Sequence, residues 1–135
     1  MKLVTWKRIY SVGIARIDNE HKELIRIFND LLGAMAVGKG FTVVESIISS
    51  LMHYAETHFA TEQELMESYN YPGLAKHLDE HEKFREKVQK YKNEFNSGNL
   101  NVSIHLINFI KEWLVEHWEG EDNSLGEFLQ DQGMD

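Results

Sequence analysis

The sequence contains no cysteine and only one proline, and each scarcity limits what the chain can be. Without cysteine, neither a disulfide framework nor a thiolate metal site is possible. A single proline, with glycines lying mostly between periodic segments, favours long helices joined by short connections. The 135 residues fall within the size range of one domain and are enough to bury a core without covalent cross-links.

The chain also lacks a long apolar run and an excess of positive charge. No apolar segment approaches membrane-spanning length, and the first sixteen residues lack the continuous apolar stretch of a secretory signal. The formal net charge of −8 would repel phosphate backbones, which argues against a nucleic-acid partner. These features predict a soluble, cytoplasmic protein that binds neither nucleic acid nor a membrane, and we expect a monomer.

Apolar residues recur at helical spacing in four long segments. Asp18 is the candidate N-cap of the first helix, and Thr42 to Glu45 matches a capping box at the start of the second. Four amphipathic helices with short loops predict an all-α, up-down-up-down four-helix bundle. The expected divisions are an N-terminal arm (1–17), a bundle (18–118) with helices near 18–38, 42–70, 74–95 and 101–118, and a short C-terminal helical tail (119–135).

Five of the seven histidines occur where the predicted helices would bring them together. Residues four apart share a helix face, and this spacing occurs twice, in an H-x-x-x-E and an H-x-x-x-H pattern. In an up-down bundle, the start of one helix lies beside the end of the next, so these side chains fall at one end of the bundle. The candidate metal ligands are His21, His58, Glu62, His77, His81, His117 and Asp122.

The spacing between His117 and Asp122 requires an irregular helix. Five residues along a regular α-helix would turn Asp122 about 140° away from His117. Both side chains can face the core only if the helix is interrupted between them. Gly120 lies in that interval, where a break costs little. We therefore predict that the fourth helix ends or distorts near Gly120.

The number of donors indicates a pair of metal ions with one open position. Five imidazoles, two bridging carboxylates and one bridging oxide or hydroxide supply about eleven of the roughly twelve positions that two octahedral ions need. Imidazole with carboxylate suits iron, zinc, copper or nickel. An open position on one of two coupled ions favours redox iron over structural zinc, although these residues alone do not exclude zinc.

The remaining histidines and several glutamates have a simpler interpretation. His53 and His105 are turned by about 120–140° from the candidate ligands on their own helices, so we predict that both are surface residues. Three glutamates directly precede a candidate ligand histidine, and adjacent residues point about 100° apart on a helix. We therefore predict that most of these glutamates are solvated charges, with a contact to a metal-binding side chain as the alternative role. They are Glu20, Glu80 and Glu116.

Taken together, the motifs resemble the hemerythrin family, specifically the single-domain bacteriohemerythrins. A single H-x-x-x-H pattern would be weak support, whereas the full series across nearly the whole chain is highly specific. The residues that carry the resemblance are Gly13-Ile14 to Asp18 with His21, His58-Phe59 with Glu62, Tyr71-Pro72, His77 with His81, and Trp113-Leu114 with His117 and Asp122.

The resemblance implies a non-haem centre of two iron ions with a bridging oxo or hydroxo ligand. It further implies reversible O2 binding at the two-histidine iron, for storage, transport or delivery to oxygen-using enzymes, rather than an enzymatic activity. The implied assignment places His77, His81 and His117 on one iron and His21 and His58 on the other, with Glu62 and Asp122 bridging both.

One residue departs from the family pattern in a position that matters. Trp118 follows His117, where the family usually has Ile or Leu, and the resemblance implies that this position lines the pocket over the open iron together with Leu114. Trp118 either narrows the O2 pocket or packs at the helix end or against the N-terminal arm. The residues leave both interpretations open.

Several other functions are compatible with part of this pattern. His77 to His81 formally matches the H-x-x-E-H zinc-protease motif, but that function would leave the other candidate histidines unexplained. A ferritin-like oxidase uses paired E-x-x-H motifs, and no glutamate lies three residues before a histidine here. A sensor of O2, redox state or iron, a peroxide- or nitric-oxide-reactive di-iron protein, and a metal-free interaction bundle remain as alternatives.

Overall fold

The computed structural model describes residues 1–134, which form an all-α four-helix bundle with an N-terminal arm. A 3₁₀ turn at Arg8–Tyr10 interrupts the arm, and a π-helical segment continues the fourth bundle helix into a fifth helix. The helices are α1 (Ala15–Ala36), α2 (Gly40–Ser68), α3 (Leu74–Asn96), α4 (Val102–Trp113), the π-helical segment (Leu114–Asp122) and α5 (Asn123–Asp131). The all-α bundle predicted from the sequence is therefore confirmed.

The first helix begins earlier than predicted, and Asp18 does not cap it. The Asp18 N–H donates to the Ile14 carbonyl over 2.9 Å, so residue 18 already lies within the helix that starts at Ala15. The Asp18 carboxylate instead accepts hydrogen bonds from the Ser11 hydroxyl and, over 2.8 Å, from the Val12 N–H. The predicted N-cap is wrong because this side chain fastens the arm to α1.

The second helix also begins before the predicted capping box. Gly38 has φ of 74°, a left-handed conformation that glycine adopts without strain. The Lys39 N–H then donates to the Ala34 carbonyl over 2.8 Å, which closes the end of α1 and turns the chain within three residues. Because the turn is so tight, α2 starts at Gly40 and Thr42 lies inside it without a side-chain cap.

The later helix boundaries agree closely with the sequence pattern. Helix α2 ends at Ser68, before Tyr71-Pro72-Gly73, and α3 begins directly after this breaker at Leu74. The C-terminal tail is helical, as predicted, over Asn123–Asp131, and Asp135 lies outside the described residues. None of the helices in the described chain is both long enough and apolar enough to span a membrane.

Two apolar clusters occupy the interior, and the candidate ligands interrupt them along each helix. The larger cluster fills the bundle and includes Leu24, Leu51, Phe84 and Ile110. The smaller cluster joins the arm, α1, α2 and α5 through Val12, Ile14, Ile17, Leu65, Met66, Leu125 and Leu129. On α2, for example, His58 and Glu62 lie between members of the larger cluster and members of the smaller one. The polar residues are therefore held between two packed apolar layers.

Candidate metal centre

All seven predicted ligands meet at one buried place in the bundle. Their exposed fractions range from 0 to 2 %, so bulk water does not solvate the five imidazoles and two carboxylates. Such burial is costly for polar and charged groups unless they are paired or bind a cation. The seven side chains come from every bundle helix: His21 from α1, His58 and Glu62 from α2, His77 and His81 from α3, and His117 and Asp122 from the π-helical continuation of α4.

The π-helical segment explains the five-residue spacing of His117 and Asp122. Its hydrogen bonds run from residue i to residue i+5, so residues five apart lie one turn apart rather than on opposite faces. His117 Nε2 accordingly lies 2.9 Å from Asp122 Oδ1. The predicted distortion is present, but it starts at Leu114, and the chain continues through Gly120 without a break.

Asp122 lies between two groups of histidines. Its Oδ2 atom is 2.6 Å from His21 Nε2 and 3.3 Å from His58 Nε2. Its Oδ1 atom is 3.1 Å from His77 Nε2 and 2.9 Å from His117 Nε2. Each carboxylate oxygen therefore faces a different pair of imidazoles, which is the arrangement of a carboxylate that bridges two metal ions.

Glu62 occupies the other shared position. Its Oε1 atom lies 3.0 Å from His58 Nε2, 3.1 Å from His77 Nε2 and 3.0 Å from His81 Nε2. His58 belongs to the group that includes His21, whereas His77 and His81 belong to the group that includes His117. The second oxygen, Oε2, is buried and has no hydrogen-bond partner. Glu62 thus offers one oxygen within reach of both groups and a second oxygen that remains free to coordinate.

The imidazole rings separate into a group of three and a group of two. Ring centroids lie 4.7 Å apart for His77 and His81, 5.0 Å for His77 and His117, and 5.7 Å for His81 and His117. The rings of His21 and His58 are 5.0 Å apart. Possible ligand atoms within 4.8 Å of one another form two overlapping sets, and His21 belongs to neither. One set is Glu62, His77, His81 and His117, and the other is His58, Glu62, His117 and Asp122. This geometry provides two adjacent cation positions.

His21, His58 and His81 each lie within hydrogen-bond distance of a carboxylate oxygen at the centre, but the contacts of Asp122 Oδ1 fit metal coordination better than hydrogen bonding. Asp122 Oδ1 lies 3.1 Å from His77 Nε2 and 2.9 Å from His117 Nε2, yet none of these three atoms has a hydrogen bond of acceptable geometry. Adjacent ligands on a metal with bonds of about 2.1 Å lie about 3.0 Å apart, which matches these separations. Buried polar atoms without partners are costly, and cations between them would satisfy all of them.

The charges of the cluster also favour cations. Burial alone would raise the pKa of both carboxyl groups, but the surrounding imidazoles outweigh it and hold the pKa of Glu62 and Asp122 well below their usual values. Burial would lower the pKa of His77, but Asp122 and Glu62 outweigh burial and raise it to about 10. For His81 burial dominates and lowers the pKa to about 4. Two ionised carboxylates therefore remain at the centre near neutral pH.

Glu20 contacts one of the candidate ligand histidines. Its Oε1 atom lies 2.9 Å from His58 Nδ1, and its Oε2 atom accepts a hydrogen bond of 2.6 Å from the Thr61 hydroxyl. Glu20 is therefore an exception to the prediction that most of these glutamates are solvated charges, because its side chain reaches across to α2. The only available signal was its place beside His21 on the face of α1 that packs against α2. Glu80 and Glu116, by contrast, bond to no ligand histidine.

Aromatic rings hold several of the imidazoles in place. Trp118 stacks on His21 with ring centroids 4.0 Å apart, and Trp113 stacks on His117 at 3.9 Å. Phe59 stacks on His81 at 3.8 Å. These flat contacts restrict ring rotation, so the nitrogen atoms are directed toward the centre before any cation binds. The two other histidines, His53 and His105, are exposed on the surface, as the sequence predicted.

A cavity of about 460 Å³ borders Trp118, and none of the seven candidate ligands lines it. The arm, α1 and the end of the fourth helix line it, and Trp118 and Leu114 form part of its wall. Trp118 itself is 4 % exposed and belongs to the larger apolar cluster. Trp118 therefore both packs in the core and separates His21 from this cavity.

Comparison with known proteins agrees with this geometry. Residues 12–129 match the family described as Hemerythrin HHE cation binding domain. The chain is 33 % identical to a bacteriohemerythrin of Stenotrophomonas maltophilia over 127 residues, covering 94 % of this chain and 82 % of that protein. It is 30 % identical to a bacteriohemerythrin of Pseudomonas aeruginosa, covering 98 % and 90 %, and 29 % identical to a myohemerythrin of Theromyzon tessulatum, covering 87 % and 86 %. The chain therefore belongs to the hemerythrin family.

Proposed function

We propose that this chain binds O2 reversibly at two iron ions that share an oxo or hydroxo bridge. The observation that carries the proposal is the position of Asp122, whose two oxygens face separate groups of buried imidazoles. That arrangement suits two metal ions, and the relatives named bacteriohemerythrin and myohemerythrin support iron and oxygen as the metal and the ligand. When bound, the iron pair supplies the electrons that O2 takes up and gives back on release.

The ligand assignment follows the separation of the rings. His77, His81 and His117 would hold one iron, and His21 and His58 would hold the other. Glu62 and Asp122 would bridge the two. The short distances from each carboxylate to both histidine groups support this assignment. The two-histidine iron has one protein ligand fewer, so its open position is where O2 would bind.

The residues around the two-histidine position would control access to it. Trp118 covers the His21 ring, and Leu114 lies one turn earlier on the same helix. We place both side chains in the wall of the O2 pocket. Together with the cavity beyond Trp118, they give a mainly apolar surrounding that suits a small uncharged ligand and excludes water from the irons.

The burial of the centre favours a carrier over an enzyme. The seven ligand side chains are at most 2 % exposed, so an organic substrate would have no direct contact with the metals. We therefore propose storage, transport or delivery of O2 to an oxygen-using enzyme, by a cytoplasmic monomer without catalytic activity. No contact within residues 1–134 favours the sensor or the peroxide- and nitric-oxide-reactive alternatives.

The test is an O2 titration of the reduced, iron-loaded protein under anaerobic conditions. We expect about one O2 bound per two irons, and release of intact O2 when the oxygen pressure is lowered. His58→Gln should abolish this reversible binding, whereas His53→Gln, an exposed histidine on the same helix, should bind O2 as the unaltered chain does. Continuous consumption of O2, or failure to bind it, would overturn the proposal.

A further inference from the structure

The five ligand histidines differ in what their second ring nitrogen contacts. A histidine that binds a metal through Nε2 keeps an N–H at Nδ1, which normally donates to a carboxylate, a carbonyl or water. His58 Nδ1 lies 2.9 Å from Glu20 Oε1. Within the described residues, the buried Nδ1 atoms of the other four, His21, His77, His81 and His117, have no hydrogen-bond partner. The carboxylate contact is thus confined to one histidine of the two-histidine position.

Glu20 is held so that it faces His58. Its Oε2 atom accepts a hydrogen bond of 2.6 Å from the hydroxyl of Thr61, a residue that is 3 % exposed and lies three positions after His58 on α2. Thr61 Oγ1 is also 3.0 Å from the Thr57 carbonyl, but its single hydrogen favours the shorter contact to a charged acceptor. Both oxygens of Glu20 are therefore fixed by α2, although Glu20 itself lies on α1.

The contact has a defined effect on the nitrogen that faces the metal. A carboxylate on Nδ1–H fixes the tautomer in which Nε2 carries the free electron pair, and it raises the basicity of Nε2. The position formed by His21 and His58 has one imidazole fewer than its neighbour, so each remaining donor contributes a larger share of the binding. A more basic His58 Nε2 therefore strengthens metal binding at the two-histidine position.

We propose that Glu20, anchored by Thr61, is a positioning residue that secures the metal ion of the two-histidine position. This inference rests on the ligand assignment given above. Glu20 contacts neither O2 nor the metal. It acts through His58, and it ties α1, which supplies His21, to α2, which supplies His58. Two ligands of one metal are thereby held at a fixed separation.

The chain offers matched controls for this proposal. Glu80 and Glu116 each directly precede a ligand histidine, as Glu20 does, but neither bonds to an imidazole. Glu80 Oε1 lies 3.8 Å from Lys83 Nζ, and the Glu80 side chain is 32 % exposed. Replacing Glu80 by Gln therefore removes the same charge at the same place in the motif without removing a contact to a ligand.

The experiment is a Co²⁺ titration of the full-length, metal-free protein, followed by calorimetry and by the visible spectrum of the bound ion. The unaltered chain should bind two ions. Glu20→Gln should weaken one of the two binding steps by about 10- to 100-fold and leave the other unchanged. Thr61→Val, which keeps the carboxylate but removes its anchor, should weaken the same step by less. Glu80→Gln should bind both ions as the unaltered chain does.

A second measurement separates positioning from a merely structural effect. In the iron-loaded protein, Glu20→Gln should raise the reduction potential, because a less basic His58 stabilises the ferric state less. The inference would be overturned if Glu20→Gln weakened both Co²⁺ binding steps equally or weakened neither. It would also be overturned if Glu80→Gln showed the same loss of affinity as Glu20→Gln. If Glu20→Gln does not fold, the step-specific loss in Thr61→Val decides the question.

These outcomes remain distinct from failure of the proposed function. If two Co²⁺ ions bind and Glu20→Gln weakens one step, but the iron-loaded protein does not release O2, then the carrier proposal fails and the role of Glu20 stands. If the unaltered chain does not bind two ions, the ligand assignment is wrong and both proposals fall.

Discussion

The indole ring of Trp118 lies flat against the imidazole of His21, with ring centroids 4.0 Å apart and planes 13° apart. Trp118 also lines the cavity that the arm borders. A large side chain thus separates an apolar space from a ligand of the proposed O2-binding iron. Both interpretations of Trp118 drawn from the sequence, core packing and narrowing of the pocket, are compatible with this position.

Trp118→Ile should open the path from the cavity to the two-histidine position. We expect faster O2 binding and faster autoxidation, because a smaller side chain leaves space between the cavity and His21. A tenfold change in rate would correspond to a barrier lower by about 1.4 kcal/mol. Stopped-flow mixing of reduced protein with O2 and the decay of the oxygenated form in air measure the two rates.

Trp113→Phe is the matched control, because Trp113 stacks on His117 in the other histidine group at a similar distance. It should leave both rates close to those of the unaltered chain. If Trp118→Ile changes neither rate, Trp118 serves packing alone. Thermal unfolding should then still show lower stability, since removal of a buried tryptophan side chain costs up to about 3–5 kcal/mol.

Metal content should distinguish buried from exposed histidines. His77→Gln removes a nitrogen that lies 3.1 Å from both Glu62 Oε1 and Asp122 Oδ1, and we expect fewer than two irons per chain after iron-replete expression. His105→Gln removes only a surface contact to Glu94, worth at most about 1 kcal/mol, and should leave two irons bound. Elemental analysis of the purified variants gives the numbers. Two irons in His77→Gln would remove His77 from the ligand set.

The sequence predicted the parts of the fold that depend on local pattern. Apolar residues at helical spacing defined the helices, and Tyr71-Pro72-Gly73 marked where α2 ends and α3 begins. The four-residue spacing of His77 and His81 requires only a regular helix, so their shared face could be predicted without tertiary structure. The up-down topology then placed all the candidate ligands at one end of the bundle.

Features set by contacts between distant segments could not be predicted in this way. Asp18 has the side chain of a good N-cap, but it binds the arm instead. The contacts of Glu20 depend on partners that lie on α2, which the pattern along α1 alone does not reveal. The distortion near Asp122 was expected from spacing, yet the nine-residue π-helical segment that produces it has no local signature in Leu114–Asp122.

The packing of the arm against α5 depends on Gly126. A Cβ atom at this position would lie 2.3 Å from the Val12 carbonyl oxygen, a backbone atom that cannot move without displacing the arm. Gly126→Ala should therefore destabilise the protein by about 1–3 kcal/mol. Gly33→Ala is the opposite case, since a Cβ at this position, three residues before α1 ends at Ala36, meets no atom within 4 Å. It should stabilise the protein by up to about 1 kcal/mol.

Urea unfolding of the two glycine variants measures both effects against the unaltered chain. The difference in sign is the informative result, because the substitution is the same and only the surroundings differ. Equal stability of Gly126→Ala and the unaltered chain would mean that the arm does not pack closely on α5 in solution.

The stability of the metal-free protein should depend on pH in both directions. The folded state raises the pKa of His77 to about 10, because Asp122 and Glu62 outweigh the effect of burial. This contribution to stability is complete below the ordinary value of 6.5 and is lost as the pH rises toward 10. Burial lowers the pKa of His81 to about 4, so its contribution is present above 6.5 and is lost as the pH falls toward 4.

The depressed pKa values of Glu62 and Asp122 add to the loss on the acid side, since both carboxyl groups bind protons more readily in the unfolded chain. Bound metal changes the alkaline side, because a nitrogen that coordinates a cation no longer depends on a proton to satisfy the nearby carboxylates. Urea unfolding across this pH range, with a chelator and then with Co²⁺, should therefore show an alkaline loss of stability only in the chelated sample. An alkaline loss of equal size in both samples would mean that Co²⁺ does not replace the proton on His77.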